Sequence, residues 1–432
     1  MQAMGGFGVK PVLAVAVSGG PDSMALVLLA QAWVQEHSGH VIALTVDHGL
    51  REESAEEVRQ TGKWLASRGI EHHTLRWEGD KPAHNIQAQA REARYAMMQD
   101  FCRQRGIRHL LTGHQQDDQA ESFWLRLARG SGAMGLACMP AIHHLPHVRL
   151  LRPLLGIARE ELQQWLVTQG QEWIDDPSNH SPRYSRAALR EFRPWLDAQG
   201  FTPARLAASI ESLGEARQVL EIAFARAASE AVCFYPGGFA SLRQPAWQAL
   251  QPCMAVQLLM RLVMVIGGQD APPRYEDAAR LHARMQAREA STLHGTRILW
   301  REKAGAWLFL REAARQQKAL NIGTGVVWDG RFDAAPLCPE HEGWYIGPAD
   351  AGMIASIRES SQWAKHPWRM WGNDLLAVLP CVFDLERRPC LPHISNGGNA
   401  PPLPLLRPYA SQPLCSGPFV THRNPLLEPE LL

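Results

Sequence analysis

From Val12 to about Ala128 the chain alternates short apolar, β-branched runs with longer stretches whose apolar positions recur at helical spacing. The runs Val12–Val17, Val41–Val46 and His109–Thr112 read as strands, and Ser23–Gln35, Glu52–Ser67 and Ala88–Arg105 as helices. This alternation predicts an α/β domain, a Rossmann-like doubly wound parallel sheet over residues 1–202, with ligands at the carboxyl ends of its strands. Further on, Pro203–Ala231 predicts a long helix, and the mixed stretch after it holds Pro273–Gln286 and the strand-like Thr296–Arg301 and Ala306–Arg311. Two smaller C-terminal domains are therefore expected, over 203–315 and 326–432, with Gln316–Gly325 as linker. From Arg387 to Leu432 the chain holds ten prolines, too many for regular helix or inner strand, so an extended tail is expected.

Composition narrows the class. With 46% hydrophobic and 20% charged residues, the 432-residue chain is a folded one, long enough for a sizeable core. Lys and Arg total 44 against 43 Asp and Glu, a net charge of +1, so a polyanionic partner must be held by local patches. Eight cysteines without a C-x-x-C pair form neither a disulfide framework nor a zinc or redox signature, and a reducing, cytoplasmic location is expected. The apolar run Pro11–Val17 is too short for a signal peptide, and Gln257 and Arg261 interrupt Met254–Ile266, so no membrane crossing is expected.

Candidate chemistry begins where the first strand ends. Ser18-Gly19-Gly20-Pro21-Asp22-Ser23 lies between an apolar strand and an amphipathic helix. Glycines let the backbone approach an anion closely, the serines offer hydroxyls, and the helix start offers free N–H groups and its dipole. No Gly-Lys-Ser/Thr follows, so this is not a Walker A loop. An acid inside a phosphate cradle calls for a bridging cation, which makes Asp22 a candidate Mg²⁺ ligand. The plain alternative is a tight turn in which Asp22 and Ser23 cap a helix.

Other stretches carry chemistry less specifically. Asp47 and His48 close a second strand beside the loop, where an adenine or ribose can be met. Arg91, Arg94 and Tyr95 share a helix face that suits phosphate contact or base stacking, or is a solvated face. Asp117 and Asp118 follow an apolar strand and open a helix, either as capping acids, with Asp118 at the N-cap, or as ligands of Mg²⁺ and acceptors of a proton. Arg183, Arg186, Arg190 and Arg193 are spaced three, four and three, one basic helical face suited to RNA phosphates or to solvent. His143, His144 and His147 have ligand-like spacing but no acid or Cys partner nearby. Trp328, Trp344, Trp363, Trp368 and Trp371 read as core aromatics of the last domain, with base stacking as the alternative.

Ser18–Ser23 resembles the pyrophosphate loop (PP-loop) of the N-type ATP pyrophosphatases, which cleave ATP between its α and β phosphates to adenylate a substrate. Val46–Arg51, Asn85–Tyr95, Gly113–Glu121, Arg129–Gly132 with Gly135-Leu136, Arg152–Leu155 and Trp173–Asn179 resemble, in order, the tRNA(Ile)-lysidine synthetase family. The resemblance covers about residues 12–195 and weakens beyond. It implies an adenine nucleotide alpha hydrolase-like fold, a ligase using ATP and Mg²⁺, and L-lysine and tRNA(Ile) with a CAU anticodon as substrates. It further implies adenylation of the wobble cytidine and attack by the lysine amine, which changes decoding from AUG to AUA. By the same token Ser18, Gly19, Gly20, Pro21, Asp22, Ser23, Asp47 and His48 would bind ATP. Asp22 with Asp117 or Asp118 would be catalytic, and Arg91, Arg94, Arg183, Arg186, Arg190 and Arg193 would contact tRNA. A tRNA thiolase of the same fold and a non-catalytic RNA-binding relative remain the alternatives, and the oligomeric state, a homodimer included, is open.

Overall fold

The structure is a computed structural model that describes residues 1, 4–47, 54–77, 86–145, 147–175, 185–323, 326–335, 343–386, 389–394, 405–408 and 414–415. The chain forms two compact units, one built on Met1–Glu221 and the other on Ile222–Ser416. The division falls within a single long helix, α8 below.

The first unit runs β1 (Val12–Ala16), α1 (Pro21–Glu36), β2 (His40–Asp47), α2 (Ser54–Ser67), β3 (Glu71–Arg76), α3 (Ile86–Arg105), β4 (His109–Leu111) and α4 (Gln116–Ala128). There follow α5 (Ala133–Leu136), β5 (Ile142–His144), β6 (Arg149–Leu151), α6 (Arg159–Thr168), α7 (Ser185–Ala198) and the start of α8 (Pro203–Ala231). The sheet order is β3-β2-β1-β4-β6-β5, parallel except for β5. Strand β1 is central and buried on both faces, which is why it reads as a continuous apolar run. Leu13 and Val15 pack with Met24, Val27 and Leu162 in one layer, and Ala14 packs with Met98 and Cys102 in the other. The order reverses between β1 and β4, the switch point at which such sheets bind ligands.

The strand over Glu71–Arg76 was not expected from the pattern. It is the sheet edge, and its Glu-His-His-Thr sequence is polar because an edge strand is only half covered. Strands β5 and β6, three residues each, are too short to show a period.

In the second unit, β7 (Val232–Tyr235), β8 (Phe239–Arg243), β9 (Ser291–Leu293), β10 (Thr296–Arg301) and β11 (Ala306–Arg311) form an antiparallel sheet of order β7-β8-β11-β10-β9. Helices α9 (Gln244–Gln248), α10 (Pro252–Ile266) and α11 (Tyr275–Gln286) cover one face, where their Trp247, Leu259 and Met285 join Trp307 and Phe309 of β11. On the other face Phe239, Leu308 and Leu310 join Trp363, Leu375 and Leu379 in one cluster, so both C-terminal segments share a core. Within the expected linker, Leu320–Asn321 pairs with Tyr345–Pro348. Trp328, Trp344, Trp363 and Trp371 are buried. In the proline-rich stretch, Pro389–Cys390 and Leu405–Pro408 are edge strands, where a missing N–H is tolerated. A fully buried ion network ties this unit together. Asp329 accepts from Arg311 Nε (3.0 Å) and Arg331 Nε (2.9 Å), and burial pushes the Arg331 guanidinium down to about 10.

Candidate active site

Strand β1 delivers the chain to Val17, whose N–H donates to Leu44 O, and the backbone then turns sharply. Gly19 has φ +84°, and a Cβ there would lie 2.6 Å from both Ile174 Cδ1 and Thr61 Oγ1, so only glycine fits. Ile174 N–H donates to Gly19 O at 2.9 Å and straps the loop from outside. The Ser23 hydroxyl accepts from Ser18 N–H (3.1 Å) and donates to Gly20 O (2.9 Å), so it fastens the loop from within. Pro21 is the first residue of α1, no side chain caps that helix, and Asp22 sits in its first turn. Such a helix start suits an anion.

A cavity of about 460 Å³, within the usual range for ligand pockets, opens at this loop. Its walls include Ser18, Gly20, Pro21, Asp22 and Ser23 from the loop, Thr45 and Val46 from β2, and Asp118 from α4. Arg91, Arg94 and Tyr95 enter from α3, with the guanidinium carbons 5.2 and 5.7 Å from the Tyr95 ring centre. Burial lowers the Arg94 pKa, as expected for a cation held away from water. These two arginines, expected at RNA, thus line the same cavity as the glycine loop. Asp47 ends β2 with its carboxylate accepting from Ser54 Oγ at 2.9 Å, and Ser54 lines the cavity.

The adjacent acids separate. The N-cap of α4 is Gln115 rather than Asp118, because the helix starts at Gln116. Asp118, at the third helical position, accepts from Gln115 N–H at 3.1 Å, completing a capping box, and lines the cavity. Asp117 turns elsewhere, to an ion pair with Arg193 Nη1 at 2.8 Å and the N–H of Arg159 at 3.4 Å. Arg193, expected at RNA phosphate, therefore meets a carboxylate. Helix α7 carries Arg186 and Arg190, whose side chains lie outside the described residues, as do Arg183 and His48 altogether. His143 and His144 are consecutive on β5 and so project to opposite faces of the sheet.

Two further residues line the cavity, Arg159, which the sequence pattern does not single out, and Gly113. Arg159 lines the cavity from the first position of α6, and a cation at a helix start runs against the dipole, which is a readable signal. Gly113 lets β4 pass over α1. A Cβ there would lie 3.0 Å from the Asp22 carbonyl carbon and oxygen and 3.1 Å from Ser23 N. Among the described residues there is no group of three or more His, Cys, Asp or Glu arranged for a metal, and no helix long and apolar enough to cross a membrane.

Residues 7–194 match the family model of the PP-loop domain. The chain is 32% identical over 409 residues to the tRNA(Ile)-lysidine synthase of Orientia tsutsugamushi (strain Boryong), covering 91% of each protein. It is 35% identical over 394 residues to that of Ruegeria pomeroyi (strain ATCC 700808 / DSM 15171 / DSS-3), covering 90% of each. Among solved structures it is similar to the U34-tRNA thiolase NcsA from Methanococcus maripaludis with its [4Fe-4S] cluster, at 16% identity and a TM-score of 0.43, over 50% of this chain and 76% of that one.

Proposed function

The chain belongs to the tRNA(Ile)-lysidine synthase family, and from that premise we propose how its residues divide the work of an ATP-dependent ligase that joins lysine to tRNA(Ile). The observation that carries the assignment of residues is the convergence of the Ser18–Ser23 loop, Asp22 and Asp118 on one cavity at the sheet's switch point.

ATP lies with its phosphates on the loop and the first turn of α1, and its adenine toward the end of β2. Arg91, Arg94 and Arg159 offset the phosphate charge, and Tyr95 offers a stacking surface. The C2 carbonyl oxygen of the wobble cytidine attacks the α-phosphate and pyrophosphate leaves. The lysine ε-amine then attacks C2, the bond from C2 to the AMP oxygen breaks, and the amine proton passes to a carboxylate. Asp118, which faces the cavity, suits that last task better than Asp117, which is paired. Asp22 and Asp118 present carboxylate oxygens to the same cavity, a donor set that fits Mg²⁺ shared with substrate phosphates. When bound, that ion would neutralise charge on the leaving pyrophosphate. Arg183, Arg186 and Arg190 meet the tRNA backbone, and the second unit grips the tRNA body.

The test is lysine-dependent formation of AMP and pyrophosphate with tRNA(Ile) bearing CAU, followed with radiolabelled lysine. Asp22→Ala is expected to abolish incorporation. ADP in place of AMP would end this reading.

A further inference from the structure

Arg193 stands on the basic face of α7, yet its guanidinium is already surrounded. It lies 2.8 Å from Asp117, 3.6 Å from Asp197 and 4.0 Å from Glu160. The Asp117 side chain is only 11% exposed, and its second oxygen accepts the first N–H of α6, a helix that no side chain of its own caps. Asp117 and Arg193 themselves line a small recess, together with the acids Glu121 and Asp197 and with Trp124 and Leu196. For Arg193 to reach an RNA phosphate it would have to leave a largely buried carboxylate uncompensated, which is costly.

Asp117 is thus a node of three helices. Each carries part of the machinery proposed above: Asp118 on α4, Arg159 at the start of α6, and Arg186 and Arg190 on α7. We infer that Arg193 is a positioning residue that holds the RNA-facing helix α7 in register with the acid turn of α4 through Asp117, and makes no contact with RNA itself. The inference rests on the reading that Arg186 and Asp118 act on tRNA and on lysine, respectively.

The experiment measures lysidine formation against tRNA concentration at several salt concentrations, for Arg193→Gln, Asp117→Asn, the double variant, Arg193→Lys and Arg186→Gln. Arg193→Gln should lower kcat about tenfold by misplacing reacting groups, with the tRNA KM and its salt dependence unchanged. Asp117→Asn should lower kcat similarly, the double variant should be no worse than either single one, and Arg193→Lys should recover most of the loss. Arg186→Gln should instead raise the KM and flatten the salt slope by about one unit, as loss of one phosphate contact does. A flattened slope in Arg193→Gln, or losses that multiply in the double variant, would overturn the inference. If Arg193→Gln does not fold, Asp117→Asn carries the same comparison, because it removes the pair's charge and keeps an acceptor for the Arg159 N–H. An unchanged slope in Arg186→Gln would count against the RNA stripe alone.

Discussion

Asp117 and Asp118 are neighbours in the chain and open to different surroundings, Asp118 to the cavity beside the Ser18–Ser23 loop and Asp117 to Arg193 and the start of α6. Asp118 also accepts the Gln115 N–H. A substitution must therefore separate chemistry from capping. Asp118→Asn keeps an acceptor for the cap and is expected to lower lysidine formation by about 10²–10⁴ with little change in Tm. Asp118→Ala adds a capping loss of about 1 kcal/mol, visible in thermal melts.

Gly113 is a purely steric prediction. Gly113→Ala places a methyl 3.0 Å from the Asp22 backbone, where one strand exit crosses the first turn of α1. Because backbone cannot yield as a flexible side chain does, the turn must shift. Weaker ATP binding by about tenfold is expected by calorimetry, with tRNA binding unchanged.

Buried His109 and half-buried His393 are expected to make stability depend on acid pH. Burial, reinforced by Arg149 and Arg108, pushes His109 down to about 4, and burial with His366 nearby pushes His393 down to about 4. Both are neutral in the folded chain and take up a proton on unfolding below the ordinary value of 6.5. Their contribution is complete above pH 6.5 and is lost as the pH falls toward 4. In urea unfolding, His109→Leu should reduce the pH slope of stability over that window by about one proton.

Asp329 holds Arg311 and Arg331 in the core of the second unit. Its φ of +55° is one that asparagine tolerates, so Asp329→Asn tests the charge rather than the backbone. Removing the carboxylate leaves two buried guanidinium groups without a counterion. A loss of about 3–5 kcal/mol is expected in chemical denaturation.

Much of this protein was legible in its residues taken in order. The central strand reads as apolar because both its faces are covered, and the glycines after it read as a sharp turn because the φ and close neighbours of Gly19 leave no room for a Cβ. The long helix Pro203–Ala231 and the hairpin strands Thr296–Arg301 and Ala306–Arg311 carry periods that span several residues, and they stand where their pattern put them. What packing alone decided is the direction of single side chains. Successive residues on a helix differ by about 100°, so adjacency cannot say which of Asp117 and Asp118 faces the cavity. Nor can spacing tell whether Arg193 meets a phosphate or a carboxylate, since the partner comes from a helix distant in the chain. Periodicity is a property of one element, whereas a site is made where several elements meet.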